Sequence, residues 1–301
     1  MAEYEQYNQA IDSINRGCVL FLLDQSGSME EQIANSTERK CDQLAKAINR
    51  WLENIVIQNT AGDDYKDRMD IGVVVYRTDL DAVTIIENGL SGPLAEKDLV
   101  TIEELQANAE FETLQKKIVD EETGEIMEMP VQVPLWVKPF YEGGTPMCSA
   151  SLKCYEILDA WTQQNANSFP PLLVHITDGE NTEETDESQD MVDAAIPYAD
   201  SVRSLATTDG NVLVLNCHLS LVPGDTCLFP NNGELLPDNL SRALFKMSSI
   251  IPEKMRDLAI EAGFDELAQD ARMMAYNADS ECLLSFLDVG TKVATARTDL
   301  R

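Results

Sequence analysis

Four short apolar runs punctuate the chain, at residues 18–23, 71–76, 172–177 and 212–219. Runs of this length without polar alternation predict strands buried on both faces, as in parallel sheets covered by helices. Between them, apolar residues recur at three- and four-residue steps. Leu44, Ala47, Ile48, Trp51, Leu52 and Ile55 predict one helix. Leu152, Tyr155, Leu158 and Trp161 predict a second, opened by Pro146 at its first turn. Val192, Ala195, Ile196, Ala199, Val202 and Leu205 predict a third, which Pro197 kinks. Strands alternating with helices predict an α/β, Rossmann-like doubly wound sheet.

Two regions depart from this alternation. Residues 91–140 hold a short helical pattern at 102–109. After it, Lys117-Ile118-Val119 and Glu125-Ile126-Met127 flank the turn-like Asp120-Glu121-Glu122-Thr123-Gly124, the mark of a β-hairpin insertion. Residues 223–238 are rich in Pro, Asn and Gly, and helix-like segments follow near 239–249, 252–262 and 280–288. The expected organisation is a core domain over 1–222, carrying the insertion at about 91–140, and a helical C-terminal extension over 223–301 packed on or beside it.

Composition narrows the setting. The chain has 301 residues, 44% hydrophobic and 25% charged, enough for a sizeable core. No apolar run reaches the length of a membrane span. The N-terminal Met1-Ala2-Glu3-Tyr4-Glu5-Gln6 has neither the basic start nor the apolar stretch of a signal peptide. Seven cysteines, odd in number and scattered, with no C-x-x-C pair, fit reduced thiols. Together these features give a cytoplasmic expectation. The net charge of −31 disfavours nucleic acid and anionic membranes, and favours a basic protein surface or a metal ion as partner.

The candidate chemistry lies where the apolar runs end. Asp24-x-Ser26-x-Ser28 follows the first run, and Thr177-Asp178-Gly179 closes the third. Gly143-Gly144-Thr145-Pro146 precedes the second predicted helix. In open α/β sheets, ligands bind beyond the carboxyl ends of the strands. Two carboxylates and three hydroxyls suit a hard cation such as Mg²⁺, with Mn²⁺ and Ca²⁺ as alternatives, and leave room for water or an incoming oxygen. Neutral hydroxyls under-neutralise such an ion. Gly143 and Gly144 predict a mobile loop that lets Thr145 approach or leave the ion.

In type, order and strand context, Asp24, Ser26, Ser28, Thr145 and Asp178 resemble the metal-ion-dependent adhesion site of von Willebrand factor A domains. The resemblance covers about residues 16–220. It implies a mostly parallel sheet with one short antiparallel strand, for which 83–86 is the candidate. It implies that Ser26, Ser28 and Thr145 bind the ion directly at some stage, that Asp24 and Asp178 act partly through water, and that a partner's Asp or Glu completes the sphere. The insertion and tail look more like intracellular bacterial, TerY-like proteins encoded beside kinases, phosphatases or AAA-type ATPases in stress-response or defence systems. The implied function is a non-enzymatic, metal-dependent protein-interaction module.

Two other functions compete. A phosphohydrolase of the haloacid-dehalogenase type also places an Asp after the first strand, but it wants a second Asp where this chain has Ser26. The third reading is a scaffold with a vestigial site. His175 and His218 lie in apolar runs and are expected to be core or hydrogen-bonded histidines. Ser26 has no nearby His motif to activate it, and the glycine loop lacks the phosphate-loop pattern. Glu30, Glu31, Glu180, Glu183, Glu184, Asp186, Glu187 and Asp190 predict an acidic rim. Met127, Met129, Trp136 and Phe140 are expected to cover the main sheet.

Overall fold

A computed structural model describes residues 6–32, 38–61, 64–119, 126–183, 191–219, 226–261, 264, 266–277 and 286. Its principal strands are β1 (Gly17–Asp24), β2 (Met69–Thr78), β3 (Thr84–Asn88), β4 (Val100–Thr101), β5 (Glu110–Val119), β6 (Ile126–Leu135), β7 (Leu172–Thr177), β8 (Leu213–His218), β9 (Cys227–Leu228) and β10 (Met274–Tyr276). The α-helices are α1 (Lys40–Asn59), α2 (Ile102–Ala107), α3 (Met147–Gln164), α4 (Ile196–Ser204), α5 (Asn239–Met247) and α6 (Glu253–Glu261).

Eight strands form one sheet in the order β9-β10-β8-β7-β1-β2-β3, with β4 also paired to β2. The five strands from β10 to β2 are parallel. β3, β4 and β9 run antiparallel at the margins. Counting only β1, β2, β3, β7, β8 and β10, the order is the 3-2-1-4-5-6 of doubly wound sheets. The α/β expectation therefore holds, and β3 is the antiparallel strand expected near 83–86. Connections to parallel neighbours leave β1 toward β2 on one side and reach β7 on the other. The strand order reverses between β1 and β7, so a crevice opens at their carboxyl ends.

Continuous apolarity follows from helices on both faces. In β1, Val19, Phe21 and Leu23 pack with α1, α2 and α6 through Leu44, Trp51, Leu105 and Met255. Cys18, Leu20 and Leu22 face the other layer, packing with α3, α4 and α5 through Leu158, Val202 and Leu244. All eight β1 residues are buried.

Several local expectations shift. Leu152 is 48% exposed; the buried seam of α3 runs instead through Ala150, Cys154, Leu158 and Trp161. Pro197 falls in the first turn of α4, after a 3-10 turn at Asp193–Ala195, so it starts the helix rather than kinking it. Pro146 caps α3 from just outside. In the tail, α5 and α6 appear as expected. The same tail also supplies β9 and β10, and β10 adds in register to β8. The expected boundary at 222 thus falls between strands of one sheet, and the extension is not purely helical. The helix expected near 280–288 lies outside the described residues, except Phe286.

The insertion is a hairpin. β5 and β6 pair residue for residue and, among the described residues, with no other strand; the turn at 120–125 lies outside the described residues. Phe111 and Met129 are exposed, as is Phe140 beyond the hairpin, so they do not cover the sheet. The side chain of Met127 lies outside the described residues. Trp136 does enter the core, donating from Nε1 to the Leu105 carbonyl at 2.8 Å. Asn49 of α1 fixes the hairpin's exit. Its Oδ1 accepts from the Trp136 and Val137 amides at 2.8 and 2.9 Å, and its Nδ2 donates to the Val137 carbonyl at 2.8 Å. Among the described residues, no helix is long and apolar enough to cross a membrane.

Candidate metal centre

Asp24 is the last residue of β1, so its carboxylate sits at the switch point. Its Oδ1 accepts from the Ser26 amide at 2.7 Å, an Asx-type turn that folds the chain back over the strand end. A 3-10 turn at Gly27–Glu30 then brings Ser28 alongside Ser26, with the hydroxyls 3.1 Å apart. The turn after β7 closes the arrangement: Ser28 Oγ donates to Asp178 Oδ1 at 2.8 Å, and Thr177 Oγ1 donates to Asp24 Oδ2 at 2.5 Å.

Gly179 explains how the fifth residue joins. A Cβ at this position would lie 2.9 Å from Thr145 Oγ1 and 3.5 Å from both Asp24 Oδ2 and Ser26 Oγ. Three oxygens from two distant segments thus surround one point on the turn after β7, which a side chain would fill. All five residues singled out in the sequence come together here. Asp24, Ser26, Thr145 and the Asp178 side chain are buried, whereas Ser28 and Gly179 are half-buried and lie on the solvent side of the cluster. Among the described residues, no three His, Cys, Asp or Glu side chains converge as a metal cluster. The donor set is therefore two carboxylates with hydroxyls. Oxygen donors with few charges fit a hard divalent cation and do not suit Zn²⁺, which favours nitrogen and sulfur.

The Thr145 loop is pinned rather than loose. Gly143 has φ +62°, and a Cβ there would lie 2.2 Å from the Thr78 carbonyl. The glycine is needed for close approach. Its carbonyl accepts from the Gly27 amide at 2.9 Å; Gly144 donates to Thr78 Oγ1 at 2.7 Å and accepts from the Thr78 amide at 3.1 Å. Thr182 brackets Thr145, its Oγ1 accepting from the Thr145 amide at 2.9 Å and its amide donating to the Thr145 carbonyl at 3.0 Å. A backbone shift of Thr145 has to break these bonds, whereas rotation of its side chain does not. Thr78 and Thr182 carry no motif, and their roles come from tertiary contacts alone.

Burial, and then the nearby Asp178 charge, push the Asp24 carboxyl up to about 6, against hydrogen bonds from Thr177 and Ser26. A cation at the cluster would reverse this. Lys40, the first residue of α1, is 3% exposed, and its Nζ lies 2.5 Å from Asp178 Oδ2 and 2.9 Å from Glu31 Oε2. It was not among the expected site residues.

The rim is less purely acidic than expected. Glu30 accepts from the Tyr141 hydroxyl at 2.9 Å, and Arg39 lies over the Tyr141 ring. Arg77 lies over Phe140 and pairs with Glu87 at 2.8 Å. Glu183 accepts from the Ser149 amide at 2.9 Å in the first turn of α3, where a carboxylate suits the helix dipole. Glu184, Asp186, Glu187 and Asp190 lie outside the described residues.

Both histidines are buried. His175 joins a polar chain through the core. Its Nε2 is 2.8 Å from the Tyr76 hydroxyl and its Nδ1 2.9 Å from Asn216 Oδ1. Asn216 Nδ2 donates to Ser248 Oγ at 2.9 Å, which fixes Oδ1 as the acceptor and places the imidazole proton on Nδ1. Burial lowers its pKa to about 4, so the ring is neutral. His218 packs on Tyr276, and its Nδ1 has no hydrogen-bond partner among the described residues.

The sequence matches no protein-family model and no curated protein. Solved structures with similar folds include the pilus adhesin SpaC from Lactobacillus rhamnosus GG, at 9% identity and TM-score 0.47, covering 95% of this chain and 31% of that one. The ArnB paralog VWA2 from Sulfolobus acidocaldarius aligns at 15% identity and TM-score 0.32, covering 70% of this chain and 37% of that one. The vWF domain of the type V pili tip protein Mfa5 from Porphyromonas gingivalis aligns at 8% identity and TM-score 0.43, covering 95% of this chain and 97% of that domain. The chain thus spans about a third of the length of the first two. Superpositions this loose leave the fold resting on strand order and pairing.

Proposed function

We propose that the chain is a non-catalytic protein-interaction module that holds a partner through a divalent cation. Asp24, Ser26, Ser28, Thr145 and Asp178 would hold the ion, with Mg²⁺ preferred and Mn²⁺ or Ca²⁺ as substitutes. When bound, the ion would supply a positive charge and an open coordination position for a carboxylate oxygen. The observation that carries this reading is the convergence of Thr145, Asp24 and Ser26 oxygens on the Gly179 face, tied through Ser28 to Asp178.

The chain's own groups favour binding over turnover. Ser26 meets another hydroxyl at Ser28, not a base, and both ring nitrogens of His175 are engaged by Tyr76 and Asn216. The partner would present an Asp or Glu from a basic surface, since the net charge of −31 repels an isolated acidic ligand. The finer assignment is a bacterial, cytoplasmic, TerY-like protein acting with a kinase, phosphatase or AAA-type ATPase in a stress-response or defence system. It rests on the likeness of the insertion and tail, beside the resemblance of the five-residue set.

Affinity capture from the native host tests the reading. A partner retained in Mg²⁺, and lost both in EDTA and with Asp178→Ala, is the expected result. Equal retention in EDTA would overturn it.

A further inference from the structure

Lys40 is the unexplained charge at this cluster. Lysine is seldom buried unless paired, and here the ammonium is paired with one of the five candidate ligands. Nζ lies 2.5 Å from Asp178 Oδ2, while Ser28 Oγ occupies Asp178 Oδ1 at 2.8 Å. The second partner, Glu31, is 53% exposed at its side chain and is screened by water. The Asp178 side chain is fully buried, and Asp24 is 0% exposed. In this low-dielectric setting the charges of Asp24, Asp178 and Lys40 dominate. The lysine is also held by its backbone: its amide donates to the Glu31 carbonyl at 3.0 Å, and it opens α1, whose Leu44, Ile48 and Trp51 are locked in the core. Its position is therefore fixed, not sampled.

We propose that Lys40 is a built-in counter-ion that shifts the site's binding energy from the metal toward the partner's carboxylate. This inference rests on the metal-dependent reading above and names how that site is tuned. Two carboxylates alone would neutralise a divalent cation, leaving a loaded cluster with little pull on an external acid. With the Lys40 ammonium on Asp178, the empty cluster carries one negative charge and the loaded cluster one positive charge. The site then takes up the cation less tightly by itself. It rewards the arrival of an Asp or Glu carboxylate, so cation and partner bind cooperatively. A structural role for Lys40, as a salt bridge tying α1 to the β7 turn, would affect stability without this exchange of affinities.

The test uses Mn²⁺ as the metal probe and acetate as the carboxylate probe, on the full chain and on Lys40→Met. Calorimetry reads Mn²⁺ affinity, and water-proton relaxation reads acetate binding to the Mn²⁺-loaded protein. Lys40→Met is expected to bind Mn²⁺ at least tenfold more tightly and acetate at least fivefold more weakly. Lys40→Gln keeps a donor for Asp178 and Glu31 without the charge. It is expected to show both changes in the same direction, even if the methionine variant folds poorly. Lys40→Arg, which keeps the charge, is expected to stay near wild type. Mn²⁺ affinity unchanged or weakened in Lys40→Gln, or acetate affinity unchanged, would overturn the counter-ion role while leaving the metal site intact. No Mn²⁺ uptake by wild type or variants would overturn the metal reading itself, and this inference with it.

Discussion

The two ends of β1 handle charge in opposite ways. At the amino end, Arg16 spreads its guanidinium over Asp67 and Asp70. Nε and one terminal nitrogen reach Asp70 Oδ1 at 3.0 and 2.8 Å. The terminal nitrogens also reach the Asp67 carboxylate at 3.0 and 3.1 Å and the carbonyls of Asp67 and Met69 at 2.8 and 3.0 Å. Trp161 Nε1 takes the remaining Asp70 oxygen at 2.8 Å. At the carboxyl end, Lys40 meets Asp178 through a single atom, and the Ser26, Ser28 and Thr145 oxygens converge with lone pairs to spare. A planar fork that saturates two acids makes a closed lock, whereas a point charge beside neutral hydroxyls leaves a site able to take a ligand. One strand thus carries a saturated ion-pair lock at one end and, at the other, the cluster proposed to bind.

Breaking the lock has the largest expected effect. Arg16→Met strands Asp67 and Asp70, which are part-buried, and is expected to lose about 2–4 kcal/mol in urea unfolding, with Mn²⁺ affinity unchanged. A fall in Mn²⁺ affinity of tenfold or more would show that the two ends are not separable.

A slightly smaller effect sharpens the comparison from within the core. His175 has its pKa lowered from 6.5 to about 4 by burial. Between those values the unfolded chain holds a proton that the folded chain does not, so stability rises with pH across this window. It falls as pH drops from 6.5 toward 4. The full change corresponds to roughly 3 kcal/mol. Chemical denaturation at pH 4.5 and 7, compared with His175→Asn, reads this slope. The Asp24 carboxyl, raised to about 6, titrates in the opposite sense in both proteins, so the change from pH 4.5 to 7 should be about 2 kcal/mol less favourable in the variant than in the wild type, and an identical slope in both would contradict the neutral, buried imidazole.

The division between what was legible in the sequence and what was not follows the range of the interactions. β1, β2, β7 and β8 were readable because burial on both faces demands unbroken apolar runs. The five cluster residues were readable because each occupies a strand end or helix start, where short-range turn chemistry restricts residue type. β10 was missed: three residues, Met274–Tyr276, make no recognisable run, and only pairing with β8 defines them. Leu152 was misplaced because the buried α3 face runs through Met147, Ala150, Cys154, Leu158 and Trp161, an offset that a four-residue stripe does not resolve. Lys40 left no trace, since its partner Asp178 is 138 positions away and a lysine opening a helix reads as solvated. The Thr78 and Thr182 clamps were invisible for the same reason. In this structure they tie down the backbone of the Gly143-Gly144 loop.

The most direct test is calorimetric titration of Mg²⁺ into the purified chain and its Asp24→Asn variant, at an ionic strength that screens diffuse binding to the acidic surface. The account predicts saturable uptake of one ion by the wild type, weakened at least tenfold in the variant. Equal heats in both proteins would contradict it.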